Sequence, residues 1–150
     1  MSLTVINKNI LDVTEGVIAH GCNAQGVMGS GVAKQLRARY PDIFKEYITK
    51  LSFYDYPASM GQVIWCDDVR TNLSIANCIT QKYYGKDGSK FVSYDALHNC
   101  MLRLSVVPPT TPIYMPYLIG AGLGGGSPEV ILAIIESTIA KTHDVYLCKL

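Results

Sequence analysis

Two stretches of the 150-residue chain gather residues that could hold an anion. One is His20-Gly21-Cys22-Asn23-Ala24-Gln25-Gly26-Val27-Met28-Gly29-Ser30-Gly31-Val32-Ala33, and the other is Pro116-Tyr117-Leu118-Ile119-Gly120-Ala121-Gly122-Leu123-Gly124-Gly125-Gly126-Ser127. Each follows an apolar, strand-like run and opens a helix-like one. A strand ending in glycines ahead of a helix lets main-chain N–H groups converge on an anion, because no Cβ blocks the approach and the helix N-terminus carries about half a positive charge. One such turn fits one phosphate. Two of them, both at strand C-terminal ends, fit a diphosphate held between loops in a crevice of the sheet. Glycine also makes plain tight turns, so either stretch alone decides nothing; the pairing is what points to a ligand.

The second stretch has GxGxxG spacing through Gly120, Gly122 and Gly125. A Rossmann dinucleotide site fails on context, since it needs a further strand with an acidic residue at its end some ~20 residues on, and here Asp144 stands ahead of the last apolar run. A P-loop is excluded because no Gly-Lys-Ser/Thr follows either glycine run. Phosphate is expected to be held by main-chain amides without an obligatory lysine or magnesium.

Composition narrows the function classes. Thirteen basic and 12 acidic side chains leave a formal charge of +1, and charged residues are only 17% of the chain, which gives no diffuse electrostatic case for duplex DNA or an anionic membrane. Lys34, Arg37 and Arg39 gather on one expected helix and read as a solvated face, so nucleic acid is not an expected partner. The five cysteines (Cys22, Cys66, Cys78, Cys100, Cys148) and three histidines (His20, His98, His143) are scattered without a CxxC pair. A disulfide framework, a structural metal and any cofactor are therefore not expected, and each cysteine reads as a small buried apolar residue. The N-terminus lacks a signal-peptide pattern, and no apolar run approaches the ~20 residues of a membrane helix, so an intracellular, cytoplasmic protein is expected. The length allows one domain with a packed core.

Strand-like and helix-like periodicities alternate, which predicts an α/β fold with about six strands: Thr4 to Asn7, Gly16 to His20, Gly61 to Cys66, Leu73 to Thr80, Ile113 to Leu118 and Val145 to Leu150. A helix from Gly31 or Val32 to Tyr40 should bury Val32, Ala33, Leu36 and Tyr40. Pro41 should start another, with a stripe of Phe44, Tyr47, Ile48 and Leu51. Ser93 reads as the N-cap of a helix carrying Leu97, Cys100, Met101 and Leu104, with Asp95 in its first turn. Ser127, Pro128 and Glu129 read as the start of a last helix with Val130, Ile131, Ile134, Ile135 and Ile139 at helical spacing. Tyr84 to Ser89 reads as a loop, with Tyr83 and Tyr84 either packed at a strand end or covering a ligand.

Taken together, these motifs resemble the macrodomain family, ADP-ribose-binding α/β/α modules with a central mixed sheet. The resemblance spans nearly the whole chain and implies a single macrodomain whose partner is ADP-ribose or ADP-ribose 1″-phosphate. In the family a Gly-Asp-Ile motif stands fourteen residues before the last asparagine of an NAAN-like turn, and Lys8-Asn9-Ile10 occupies that register before Asn23. Asn9 then replaces the aspartate that contacts adenine, keeping a carbonyl acceptor without the charge. The resemblance implies ligand contacts from Asn9, Ile10, Gly21, Gln25, Met28, Gly29, Ser30, Gly31 and Val32 on the first side. On the second it implies contacts from Ile119, Gly120, Ala121, Gly122, Leu123, Gly124 and Gly125. Asn23 falls where the family asparagine contacts the distal ribose, and its amide can orient a reaction without titrating.

HGCNAQG, GSGVA, the ITQxYYG segment from Ile79 to Gly85 and Ser93-Tyr94-Asp95-Ala96-Leu97 are most similar to the branch that removes phosphate from ADP-ribose 1″-phosphate. The branches that release ADP-ribose carry an aspartate where this chain has Ala33, or where it has Gly124 paired with a lysine near Lys82. The implied catalytic residues are Asn23, His20 and Lys82. His20 could serve as general acid or base, or be a hydrogen-bonded core histidine. A reader that binds ADP-ribose without turnover, and a hydrolase acting on modified macromolecules, are the alternatives.

Overall fold

The computed structural model describes residues 1–28, 31–82, 92–117, 119 and 125–150. Six strands, β1 (Ser2–Asn7), β2 (Glu15–Asn23), β3 (Val63–Asp67), β4 (Asn72–Gln81), β5 (Ile113–Pro116) and β6 (Asp144–Lys149), form one sheet in the order β1-β6-β5-β2-β4-β3. All neighbours are parallel except β3, which runs antiparallel to β4 at one edge. The sheet is thus mixed, as the family resemblance implies.

Side chains of the central strands alternate between two apolar clusters. Val17 and Ala19 of β2, with Ala76 and Cys78 of β4, pack on α3 (Tyr94–Arg103) and α4 (Pro128–Ser137) through Leu97, Met101, Ile131 and Ile135. Ile18 and Cys22, with Ile75 and Ile79, pack on α1 (Gly31–Arg39) and α2 (Pro41–Leu51) through Leu36, Ile43, Tyr47 and Leu51. Both faces of the centre are covered, which is why these strands read as nearly continuous apolar runs. The result is the three-layer α/β/α architecture. All five cysteines are buried.

Several boundaries differ from expectation. β2 runs through Gly21-Cys22-Asn23 because β4 pairs with it that far, Gly21 opposite Cys78 and Cys22 opposite Ile79. On α2, Ile48 is exposed and Ile43 takes its place in the buried stripe with Tyr47 and Leu51. On α4, Val130 is exposed, and Ile139 is buried in a 3-10 turn (Ile139–Lys141) beyond the helix. Ser93 caps α3 with its side chain, which accepts from Ala96 N at 3.2 Å. Ser127 holds the N-cap position of α4 without a side-chain cap; its main-chain N–H donates to Tyr94 Oη at 2.9 Å, tying the starts of α3 and α4 together.

Candidate functional site

β2, β4 and β5 run parallel, so their C-terminal ends lie at one end of the sheet. β2 is registered with β5 only at Val17–Ile113 and Ile18–Tyr114, whereas its pairing with β4 continues to Asn23. Beyond Ile18 the two strands part, and each then enters one of the glycine-rich turns, β2 toward α1 and β5 toward α4. A crevice between parallel strands at their carboxyl ends is where open α/β sheets take ligands. Gly29, Ser30, Leu118, Gly120, Ala121, Gly122, Leu123 and Gly124 lie outside the described residues, as do Tyr83, Tyr84 and the expected loop to Ser89.

Asn23 organises the first turn. Its Oδ1 accepts from Gln25 N at 3.0 Å and Val27 N at 3.2 Å, and its Nδ2 donates to Val27 O at 2.7 Å. Both acceptor lone pairs and one donor are thereby used, leaving one amide N–H among the described contacts. The Asn23 carbonyl accepts from Tyr47 Oη at 3.0 Å, so α2 fixes the strand end from behind. Burial pushes the Tyr47 hydroxyl well above its ordinary range, keeping it a donor. Tyr47 was visible in the sequence only as part of an apolar stripe; the signal for more was that a buried tyrosine needs a partner for its hydroxyl.

Gln25 is exposed, and its Nε2 donates to the Lys82 carbonyl at 3.2 Å, joining the first turn to the end of β4. The Lys82 ammonium lies 4.2 Å from the centroid of the Tyr56 ring, a cation–π distance. Lys82 and Asn23 therefore stand at the same end of the sheet. Gly31, the first residue of α1, has φ +62°, in the left-handed region that disfavours any other residue. Val32 is half-buried, and Met28 is 3% exposed, lining a hollow with Leu36, Tyr40 and Ile43 above Asn77.

His20 lies deeper. It is 1% exposed, and its Nε2 donates to Asn77 Oδ1 at 2.7 Å, while Asn77 Nδ2 donates to Ile64 O at 2.9 Å. Since Oδ1 can only accept, the proton sits on Nε2. Burial lowers its pKa to about 4 against the opposing hydrogen bond, so the ring is neutral near pH 7. Cys22 Sγ stands 3.5 Å from His20 Nε2, and burial pushes that thiol up, away from the thiolate form. This matches the core-histidine alternative. Asn77 was missed in the sequence, although a polar residue inside the apolar run from Leu73 to Ile79 was the available signal.

Asn9 Oδ1 accepts from Leu11 N at 3.0 Å and caps a 3-10 turn, Ile10–Asp12, whose Ile10 is buried. That turn packs against α1 and β5. On the far side Ile119 is buried, and Gly125 is exposed with φ +71°. The structure thus brings Asn23, Gly21, Gln25, Met28, Gly31 and Lys82 to the ends of β2 and β4 and sets His20 apart in the core. Lys34, Arg37 and Arg39 are exposed, with Arg37 over the Phe44 ring at 4.5 Å.

No protein-family model matches the chain. It is 35% identical over 134 residues to an uncharacterized 17.5 kDa protein of the tk-vs intergenic region of Enterobacteria phage T4, covering 85% of this chain and 83% of that one. Its structure is similar to the macrodomain of Thermus aquaticus DarG, with a TM-score of 0.78 at 20% identity over 99% of this chain and 98% of that one. It is also similar to Thermosipho africanus DarTG, solved in complex with ADP-ribose, with a TM-score of 0.76 at 12% identity over 98% of this chain and 41% of that one. No helix among the described residues is long and apolar enough to cross a membrane.

Proposed function

We propose that this chain, which belongs to the same family as the uncharacterized 17.5 kDa phage T4 protein and has the macrodomain fold, binds ADP-ribose and hydrolyses the phosphomonoester of ADP-ribose 1″-phosphate. The observation that carries the reading is the early parting of β2 and β5, each of which then leads through a glycine-rich turn into a helix at one end of the sheet. Main-chain N–H groups on both sides of a crevice suit a diphosphate. ADP-ribose in the T. africanus complex supports the ligand class.

In the reaction water adds to phosphorus, the bond from phosphorus to the C1″ oxygen breaks, and that oxygen leaves as the hydroxyl of ADP-ribose with a proton. Asn23 shapes the first turn and offers its remaining N–H toward the sugar, and Lys82 supplies a positive charge at the same end. His20 is assigned the structural task of holding β2 to Asn77.

The test is a parallel assay of phosphate and ADP-ribose release, with binding measured on the same sample. Phosphate release from ADP-ribose 1″-phosphate supports the proposal, with Asn23→Ala lowering turnover more than binding. Binding without phosphate release would replace the phosphatase by a reader. A second reading, release of ADP-ribose from a modified macromolecule, draws on the placement of Lys82 beside the Asn23 turn. Liberated ADP-ribose that Lys82→Ala abolishes would establish it.

A further inference from the structure

The two edges of the sheet differ in how they meet solvent. At the β3 edge, the Lys50 ammonium of α2 donates to the outward carbonyl of Trp65 at 2.5 Å, and a lysine laid on an edge strand blocks pairing with a further strand. At the opposite edge, β1 pairs with β6 alone. Its sequence, Ser2-Leu3-Thr4-Val5-Ile6-Asn7, holds neither charge nor proline, and Thr4, Val5 and Ile6 are β-branched residues that favour extended backbone. Val5 is 51% exposed.

Main-chain directions at this edge follow from its neighbours. Lys8 N donates to Lys149 O at 3.1 Å, while Tyr117 N donates to Cys148 O at 2.9 Å from the β5 side. Lys8 therefore faces β6. Successive residues of a strand present N–H and C=O to alternate edges, so Ser2, Thr4 and Ile6 face β6 as well, and Leu3, Val5 and Asn7 present theirs to the open edge.

Those outward groups are self-complementary. An antiparallel copy related by a twofold axis through Val5 sets Val5 opposite Val5, Leu3 opposite Asn7, Thr4 opposite Ile6 and Ser2 opposite Lys8. Each outward N–H and C=O of Leu3, Val5 and Asn7 then meets a partner, and opposed side chains share a face. The charges at the ends match under the same axis. Ser2 Oγ donates to Asp144 Oδ1 at 2.9 Å, so the exposed Lys8 of one copy comes opposite the residue that holds the exposed Asp144 carboxylate of the other. Asp144 also pairs with the N-terminal amine, and a carboxylate keeps lone pairs for a further donor. We propose that the β1 edge is a homodimer interface, in which residues 2–8 of two copies pair antiparallel about Val5 and join two sheets into one.

The experiment is sedimentation equilibrium of the wild-type protein, Val5→Lys, Val5→Glu and an equimolar mixture of the two variants, with thermal melts to confirm folding. Amide hydrogen exchange of the wild type at low and high concentration accompanies it. A single strand edge is at the small end of specific interfaces, so the concentration series runs to about 1 mM. The wild-type mass should rise toward twice that of the monomer. Each variant alone should stay at the monomer mass, because residue 5 meets itself on the axis and like charges then face each other; the mixture should regain the dimer, since lysine then meets glutamate. Exchange at Leu3, Val5 and Asn7 should slow as the wild-type concentration rises, with Thr4 and Ile6 unchanged. A wild type that stays monomeric, folded variants that each dimerise like the wild type, or a mixture of folded variants that stays monomeric would each overturn the proposal. Should either variant fail to fold, exchange in the wild type decides alone, and rates at Val5 independent of concentration would overturn it.

Discussion

His20 and Asn23 are three positions apart on one strand, yet their surroundings give them different work. His20 is buried as a neutral ring with a pKa near 4 against the ordinary 6.5, so acid protonates it more readily in the unfolded chain than in the folded one. The stability due to its neutral burial is therefore complete above pH 6.5 and falls as the pH drops from 6.5 toward 4, by about 3 kcal/mol in all. Denaturant titrations of wild type and His20→Gln should show the wild type losing more stability across that window, and parallel curves would contradict the assignment. A catalytic His20 would also put an inflection near pH 4, its folded-state value, in turnover, which we expect to be absent. Asn23→Ala removes three hydrogen bonds that shape the first turn and should lower stability by about 1–3 kcal/mol, seen as a reduced urea midpoint at unchanged slope.

At the scale of elements, the helix starts hold the site. Gly31 opens α1 with φ +62°, so Gly31→Ala should cost about 1 kcal/mol in strain and, if the α1 start binds phosphate as proposed, weaken ligand binding. Ser93→Ala should cost about 1 kcal/mol through loss of the α3 cap, with little effect on binding if the cap only stabilises the helix. The elements themselves were legible because burial on both faces writes continuous apolar runs into the central strands. The end of β2 was not legible: Gly21 and Asn23 are turn formers by local preference, and β4, some fifty-odd residues on, holds them in the strand by pairing Gly21 with Cys78 and Asn23 with Gln81. The stripe of α2 was ambiguous for a similar reason. Ile43 and Ile48 lie on opposite flanks of the Tyr47 and Leu51 stripe, and the neighbouring sheet, which the sequence of the helix does not contain, selects Ile43. His20 could be read as site or core until Asn77, 57 residues away, supplied its partner.

At the scale of the whole molecule, topology sets these pieces on the two sides of the proposed ligand crevice. The strand order places β5 and β4 on opposite sides of β2, so the chain leaves the two sides of the crevice through connections that are far apart in sequence, at residues 24–30 and 117–127. A ligand spanning both must stabilise the native state as a whole, because an unfolded chain cannot hold the two turns together. At a ligand concentration one hundred times the dissociation constant this linkage amounts to about 2.7 kcal/mol. For a chain of this size that corresponds to a rise in melting temperature of about 5–10 °C. Differential scanning calorimetry across an ADP-ribose concentration series should show a rise that grows with the logarithm of concentration. ADP, which lacks the distal sugar proposed to face Asn23, should give a smaller rise at equal concentration. Ribose 5-phosphate, which cannot bridge the two turns, should leave the transition in place. If ADP-ribose produced no shift at millimolar concentration, the parting of β2 and β5 would be a feature of packing alone, and the crevice would have to be assigned another ligand.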